Sequence, residues 1–108
     1  MKHTIQIEMH SRFGEFCASG ENAVKLLKSE IYPILDKQPA NLAFDFYGVR
    51  NINSSFSNAL FANLVRRYGE QIVQSISIAN VKPNLKSEIL YSFSMATSEI
   101  DEAQKVCS

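Results

Sequence analysis

Near the start of the chain Ile5, Ile7 and Met9 alternate with Thr4, Gln6 and Glu8. A period of two marks a strand with one buried face, so the pattern predicts a first strand from His3 to His10. On that strand the two histidines, an odd number of positions apart, point to opposite faces and share no ligand. Ser11 to Ser19, with Gly14 among small and polar residues, predicts a turn into a short second strand. From Gly20 the period changes: Val24, Leu27, Ile31, Ile34 and Leu35 recur at spacings of three and four, the stripe of a helix packed on a sheet. Pro33 removes one backbone donor from that helix and crowds the preceding turn, predicting a kink or restart near Tyr32.

Breaker residues Gln38-Pro39-Ala40-Asn41 precede the run Leu42-Ala43-Phe44-Asp45-Phe46, which predicts an interior strand interrupted by one carboxylate. A polar connection after Gly48 leads to Phe56, Leu60, Leu64 and Tyr68 at intervals of four, a central helix that Gly69 is suited to end. Ser75 to Ala79 alternates again, and Pro83 suits the first turn of a last helix. Leu85, Ile89, Phe93, Ala96 and Ile100 mark its buried stripe, with Ser92, Ser94, Thr97, Ser98 and Glu99 largely on the solvent side. Strands alternating with helices predict an α/β fold, a mixed sheet of about four strands with about three helices packed against it. The length of 108 residues, without repeats or a low-complexity linker, predicts a single domain over residues 1–108.

Composition narrows the function classes. Lys plus Arg and Asp plus Glu both count 11, so no net field steers the chain toward a polyanion. The adjacent pair Arg66-Arg67 is too small a basic patch to follow a phosphate backbone, and a solvated helix face is the expected reading. No apolar stretch approaches the ~20 residues that span a bilayer, and the alternating start lacks a signal-peptide block, so a cytoplasmic protein is expected. Cys17 and Cys107 stand far apart without a CxxC or Cys/His cluster, predicting two reduced thiols and no metal site. With no nucleophile–base motif and no glycine-rich phosphate loop, a catalytic role and a cofactor are not expected.

The stretch Leu42 to Tyr68, LAFDFYGVRNINSSFSNALFANLVRRY, resembles the core of the STAS-like family: an Asp-containing strand, a Gly-Val turn, paired serines and a Phe-led helix. The upstream run Ile31-Tyr32-Pro33-Ile34-Leu35 extends the resemblance. Broader relatives are the STAS domains, named for sulfate transporters and anti-sigma factor antagonists. In the antagonists a polar loop leads to a helix that starts with a regulatory serine, a position matched here by Ser54. This chain has Asn53 before that serine and Phe56 after Ser55, where the antagonists commonly carry Asp and Gly. The resemblance implies a STAS-like fold and a histidine-kinase-like ATPase as protein partner.

The chemistry of the corner is consistent with two roles. Asparagine and serine before an apolar helical run are ordinary caps for free amides. A hydroxyl in the first helical turn is also a place where a phosphate finds amide donors and the positive end of the helix dipole. We therefore expect a regulatory, non-enzymatic module with Ser54 and Ser55 as candidate phosphorylation sites. Arg50, Asn53, Ser54, Ser55, Phe56, Asn58 and Arg66 are the expected partner-binding residues. Asp45 is expected to accept backbone amides and, with Gly48, to position the loop. Two alternatives stand beside this reading. One is a small-molecule or nucleotide sensor binding an anion at the same corner; the other is a homo-oligomeric scaffold with an apolar patch drawn from Phe13, Phe16 or Tyr91.

Overall fold

Alternation at Ile5 and Ile7 builds β1 (His3–Glu8), but the strand stops before Met9. Met9 and Phe13 stand four apart, so the residues that follow also satisfy a helical period, and they wind into the short helix α1 (Met9–Phe13). Gly14, at φ +76°, ends it in a region that suits glycine. The expected strand through His10 is thereby shortened. His10 is an exposed helical residue, and the argument that placed it opposite His3 lapses. The computed structural model describes residues 3–107, with side chains up to residue 100; the thiol expected at Cys107 lies outside the described residues' side chains.

After β2 (Phe16–Cys17), α2 (Gly20–Leu26) begins where Ser19 caps it, the serine side chain accepting from the amide of Asn22 at 3.3 Å. A π-helical turn, Leu27–Ile31, carries the chain into α3 (Tyr32–Leu35), the restart that Pro33 predicts. Residues 20–35 thus form one helical rod. β3 (Ala40–Asp45) and β4 (Asn51–Ile52) follow. A second rod, the central helix, runs from α4 (Ser54–Ser57) through a π-helical turn, Asn58–Ala62, to α5 (Asn63–Tyr68), and Gly69 at φ +88° ends it. A 3-10 helix, Glu70–Ser75, leads to β5 (Ile76–Ala79) and then to α6 (Pro83–Cys107), the third rod.

β1, β3 and β5 form a parallel sheet with β3 in the centre, while β2 and β4 pair in a separate parallel ladder. The expected mixed sheet of four strands is corrected to three plus two parallel strands. Helical rods connect β2 to β3 and β4 to β5, and crossovers of that kind return the chain in the same direction. The two-residue strands β2 and β4 follow the turns beyond β1 and β3 and pair only with each other among the described residues.

Register aligns Ile7 with Phe44 and Ile78, and Ile5 with Leu42 and Ile76. These rows face the rods, whereas Gln6, Ala43 and Ser77 form an intervening row that is exposed or half-buried. Phe61 of the central helix joins the layers. Its ring centroid lies 5.2 Å from Phe44 on β3 and 5.3 Å from Phe93 on α6, both edge to face. α6 runs alongside the central helix, with Ser92 beside Ser57 and Glu99 beside Arg66.

Ser92 corrects a second expectation, since it is fully buried instead of facing solvent. It stands three residues after Ile89 and four before Ala96, within the apolar stripe of α6. Its hydroxyl lies 2.6 Å from Ser57 Oγ and donates to Asn58 Oδ1 at 2.8 Å. Each hydroxyl carries one proton, so the assignment that uses the two shortest bonds has Ser57 donating to Ser92 and Ser92 to Asn58, with Glu88 O, 3.3 and 3.2 Å from the two hydroxyls, as a competing acceptor. This chain of bonds satisfies polar groups that burial would otherwise make costly.

Candidate functional site

The polar corner is assembled where β2 and β4 end together. Their ladder sets Cys17 beside Ile52, and the Asn53 amide then donates to Cys17 O at 3.1 Å. Asn53 is extended, at φ −96° and ψ 168°, and its side chain works in both directions. Oδ1 accepts from the Phe56 amide at 2.9 Å, and Nδ2 donates to Ala18 O at 2.8 Å. Asn53 is therefore the cap of the central helix and ties it to the chain segment before α2.

Because Asn53 does the capping, Ser54 and Ser55 occupy the first helical turn with exposed side chains. Neither hydroxyl has a hydrogen-bond partner among the described residues. They are not equivalent. A Cβ placed on Gly20 would come within 2.8 Å of Ser55 Oγ, so Ser55 is the serine packed against the start of α2. Glycine at position 20 is what permits this approach of two helices.

The remaining expected contacts separate. Arg50 is exposed at the same corner; its amide donates to Glu15 O at 2.8 Å, and its guanidinium lies 4.0 Å from the Glu15 carboxylate. Phe56 is fully buried against Phe13, ring centroids 5.0 Å apart, so it shapes the corner from beneath and offers no surface to a partner. Asn58 is half-buried with Oδ1 committed to Ser92. Arg66 lies about 18 Å from Ser54 along the helix axis, at 1.5 Å per residue, and forms a two-bond pair with Glu99 at 2.9 and 3.1 Å. Phe56, Asn58 and Arg66, expected among the partner-binding residues, are thus respectively buried, bonded inward and paired with Glu99.

Arg67, expected with Arg66 on a merely solvated face, is also engaged. It donates to Asp36 at 2.6 Å and lies over the Tyr32 ring at 4.0 Å, while the Tyr68 hydroxyl donates to Asp36 at 2.8 Å. The Arg67 and Tyr68 hydrogen bonds hold the Asp36 carboxyl below the usual carboxylate range. Burial, followed by the Asp36 bond, pushes the Tyr68 phenol up to about 12.

Asp45 Oδ1 accepts from the Tyr47 amide at 2.9 Å and from Asn80 Nδ2 at 3.0 Å. These bonds, that of Asn80 first, hold its carboxyl below the ordinary value. The carboxylate therefore ties the turn after β3 to the chain beyond β5. Within that turn Gly48 adopts φ +85°, and a Cβ there would meet the His10 ring at 3.0 Å. Asp45 thus reaches the serine corner only through the backbone that follows Gly48.

Sequence reading missed the buried pair Ser57 and Ser92, whose helical spacing was the available signal. It also missed that Gly20 and Ala59 pack together and both line a surface groove. Cys17 is buried, and that burial pushes its thiol up to about 11, which keeps it from acting as a thiolate near neutral pH. Phe16 and Tyr91 are exposed, whereas Phe13 is half-buried. Among the described residues no group of three or more His, Cys, Asp or Glu is placed to hold a metal ion, and no helix is long and apolar enough to cross a membrane.

The family described as a STAS-like domain of unknown function (DUF4325) matches residues 24–86. No curated protein and no solved structure matches the chain. The matched residues contain β3, the serine corner, the central helix and β5, including all of the Leu42 to Tyr68 stretch that resembles this family. With more than half of its length matched, the chain belongs to the family of STAS-like domains of unknown function.

Proposed function

We propose that the chain is a regulatory binding module that presents Ser54 and Ser55, with Arg50 beside them and Asn53 holding the corner in place, to a protein partner, without catalysing a reaction of its own. The observation that carries this reading is a pair of exposed, unbonded hydroxyls in the first turn of a helix whose cap is supplied by Asn53. The partner is a kinase-like ATPase, as in the anti-sigma factor antagonists that STAS-like chains resemble. Ser54 is the phosphate acceptor, since Ser55 Oγ is the one packed against Gly20. A phosphate adds about −1.5 to −2 charges, which repels an apolar or acidic partner surface and releases it.

The test begins with affinity purification of the chain with its bound proteins, followed by ATP and mass spectrometry. An ATP-binding partner is expected, with the mass of one phosphate gained at Ser54. Ser54→Glu should then weaken the purified complex, and Arg50→Glu should slow its formation and reduce its salt dependence. Undiminished binding by both variants overturns the assignment of this surface. Binding that responds to both, with no phosphate gained, removes only the switch.

A further inference from the structure

We infer that the groove between α2 and the central helix is a docking site for an acidic amphipathic helix of a protein partner. This rests on the reading of the chain as a binding module, and it names the chemistry of what binds beside the serine corner. The groove is shallow and broadly open to solvent, with a volume of about 920 Å3. One wall is made by two parallel rows on the first rod, Gly20–Val24–Lys28 and Glu21–Lys25–Ser29, each at the four-residue spacing of a helix ridge. Ala59 of the central helix stands opposite.

Its shape follows from small residues. Gly20 can lie this close to Ser55 because it has no side chain, since a Cβ there would come 2.8 Å from Ser55 Oγ, while Ala59 Cβ, at 3.6 Å from that position, is in ordinary contact. Val24 is half-buried and supplies an apolar contact one turn further along. From residue 20 to residue 29 the rod advances about 13 Å, some two and a half turns, enough for the i, i+3/i+4 and i+7 anchors of a docked helix.

Charge decides which helix fits. Arg12, Arg50, Arg66 and Arg67, all of the chain's arginines, stand within 4.0 Å of a carboxylate. Lys25 and Lys28 are exposed on the groove wall and have no ion-pair partner among the described residues. Their stems extend the apolar surface while their ammonium groups remain open to carboxylates. Glu21 sits at the other end of the groove, which gives it a direction: the partner's acidic residues lie toward Lys25 and Lys28, with its apolar anchor over Val24 and Ala59.

Two synthetic helical peptides of about 14 residues, about 21 Å long and so overhanging the groove by roughly 4 Å at each end, test this. They share one leucine stripe and differ in carrying Glu or Lys beside it. The Glu peptide is expected to move the backbone amide resonances of Val24, Lys25, Lys28 and Ala59 in the intact chain. Lys25→Glu combined with Lys28→Glu should weaken it by about tenfold or more and make the Lys peptide the better ligand. An unchanged circular dichroism spectrum checks that the double variant is folded. Equal binding of both peptides, or shifts confined to another surface, overturns the inference. Movement of the groove resonances with protein concentration alone also overturns it, by assigning the groove to a second copy. The corner and the groove fail separately: Ser54→Glu reads the first through the purified partner, and the charge-swapped peptides read the second.

Discussion

The two ends of the central helix carry polar residues of similar promise in the sequence and opposite fates in the structure. At its start, Ser54 and Ser55 are exposed and unbonded because Asn53 has taken over the capping. At its end, Arg66 is held by Glu99, and Arg67 by Asp36 with Tyr32 and Tyr68 around it. Both regions are accessible to solvent, so exposure does not distinguish them. What differs is whether each polar group already has a partner within the chain. A group engaged internally must break that contact before serving another molecule, whereas an unbonded group gives up only water. The start of the helix is therefore the better surface for recognition, and its end fastens the rods together.

The broadest challenge to this contrast is Phe61→Ala, which removes the ring that joins the central helix to the sheet and to α6. Phe61 is fully buried between Phe44, Phe46 and Phe93, and its truncation should destabilise the chain by about 3–5 kcal/mol in urea unfolding. A loss below about 1 kcal/mol would mean that the sheet and helices do not share this core.

Next in size is the buried serine pair, lying between the two ends. Ser92→Ala leaves Asn58 Oδ1 without its donor and should cost about 1–3 kcal/mol. Ser57→Ala with Ser92→Ala should cost less than the sum of the single changes, because the second substitution removes a group the first has already stranded. Strict additivity in the double-mutant cycle would reject the hydrogen-bonded chain. Smaller again is Asn53→Ala, about 1 kcal/mol for a lost cap, with faster amide exchange expected at Phe56.

Acid should loosen the helix end by a still smaller amount. Asp36 and Glu99 have folded pKa values below their ordinary ones, set first by hydrogen bonds from Arg67 and Arg66. Such groups stabilise the fold fully above the unfolded carboxylate value near pH 4, and that contribution disappears as pH falls through the lower folded value. Thermal midpoints should therefore drop on acidification below about pH 4, with a flatter profile in Asp36→Asn. An identical profile in that variant would remove Asp36 from the clasp.

Punctuation residues made much of this architecture readable. Pro33 marks the break before α3, Gly69 ends the central helix, and Pro83 opens α6. Periodicity also places the stripe from Phe56 to Leu64 against the core. It fails where one pattern serves two structures: Met9 continues the alternation of β1 and also begins the helical spacing to Phe13, so the strand's end was hidden. Partition into two ladders was hidden as well, because pairing depends on spatial order and not on local pattern. At the candidate site, the residue type identified Ser54 and Ser55, but only the folded chain reveals that Asn58 turns inward and that Arg66 is paired.

The smallest stability effect is the most informative about function. Ser54→Ala and Ser55→Ala should each change unfolding free energy by no more than about 0.5 kcal/mol, since neither removes an internal bond and Asn53 keeps the cap. A hydroxyl that stabilised the helix itself would behave like Asn53, at about twice that cost or more. If Ser54→Ala proves nearly silent in unfolding and also blocks phosphate transfer from the purified ATPase, the serine acts outward. If instead it destabilises the chain as much as Asn53→Ala, its oxygen is serving the helix, and the contrast between the two ends of the rod collapses.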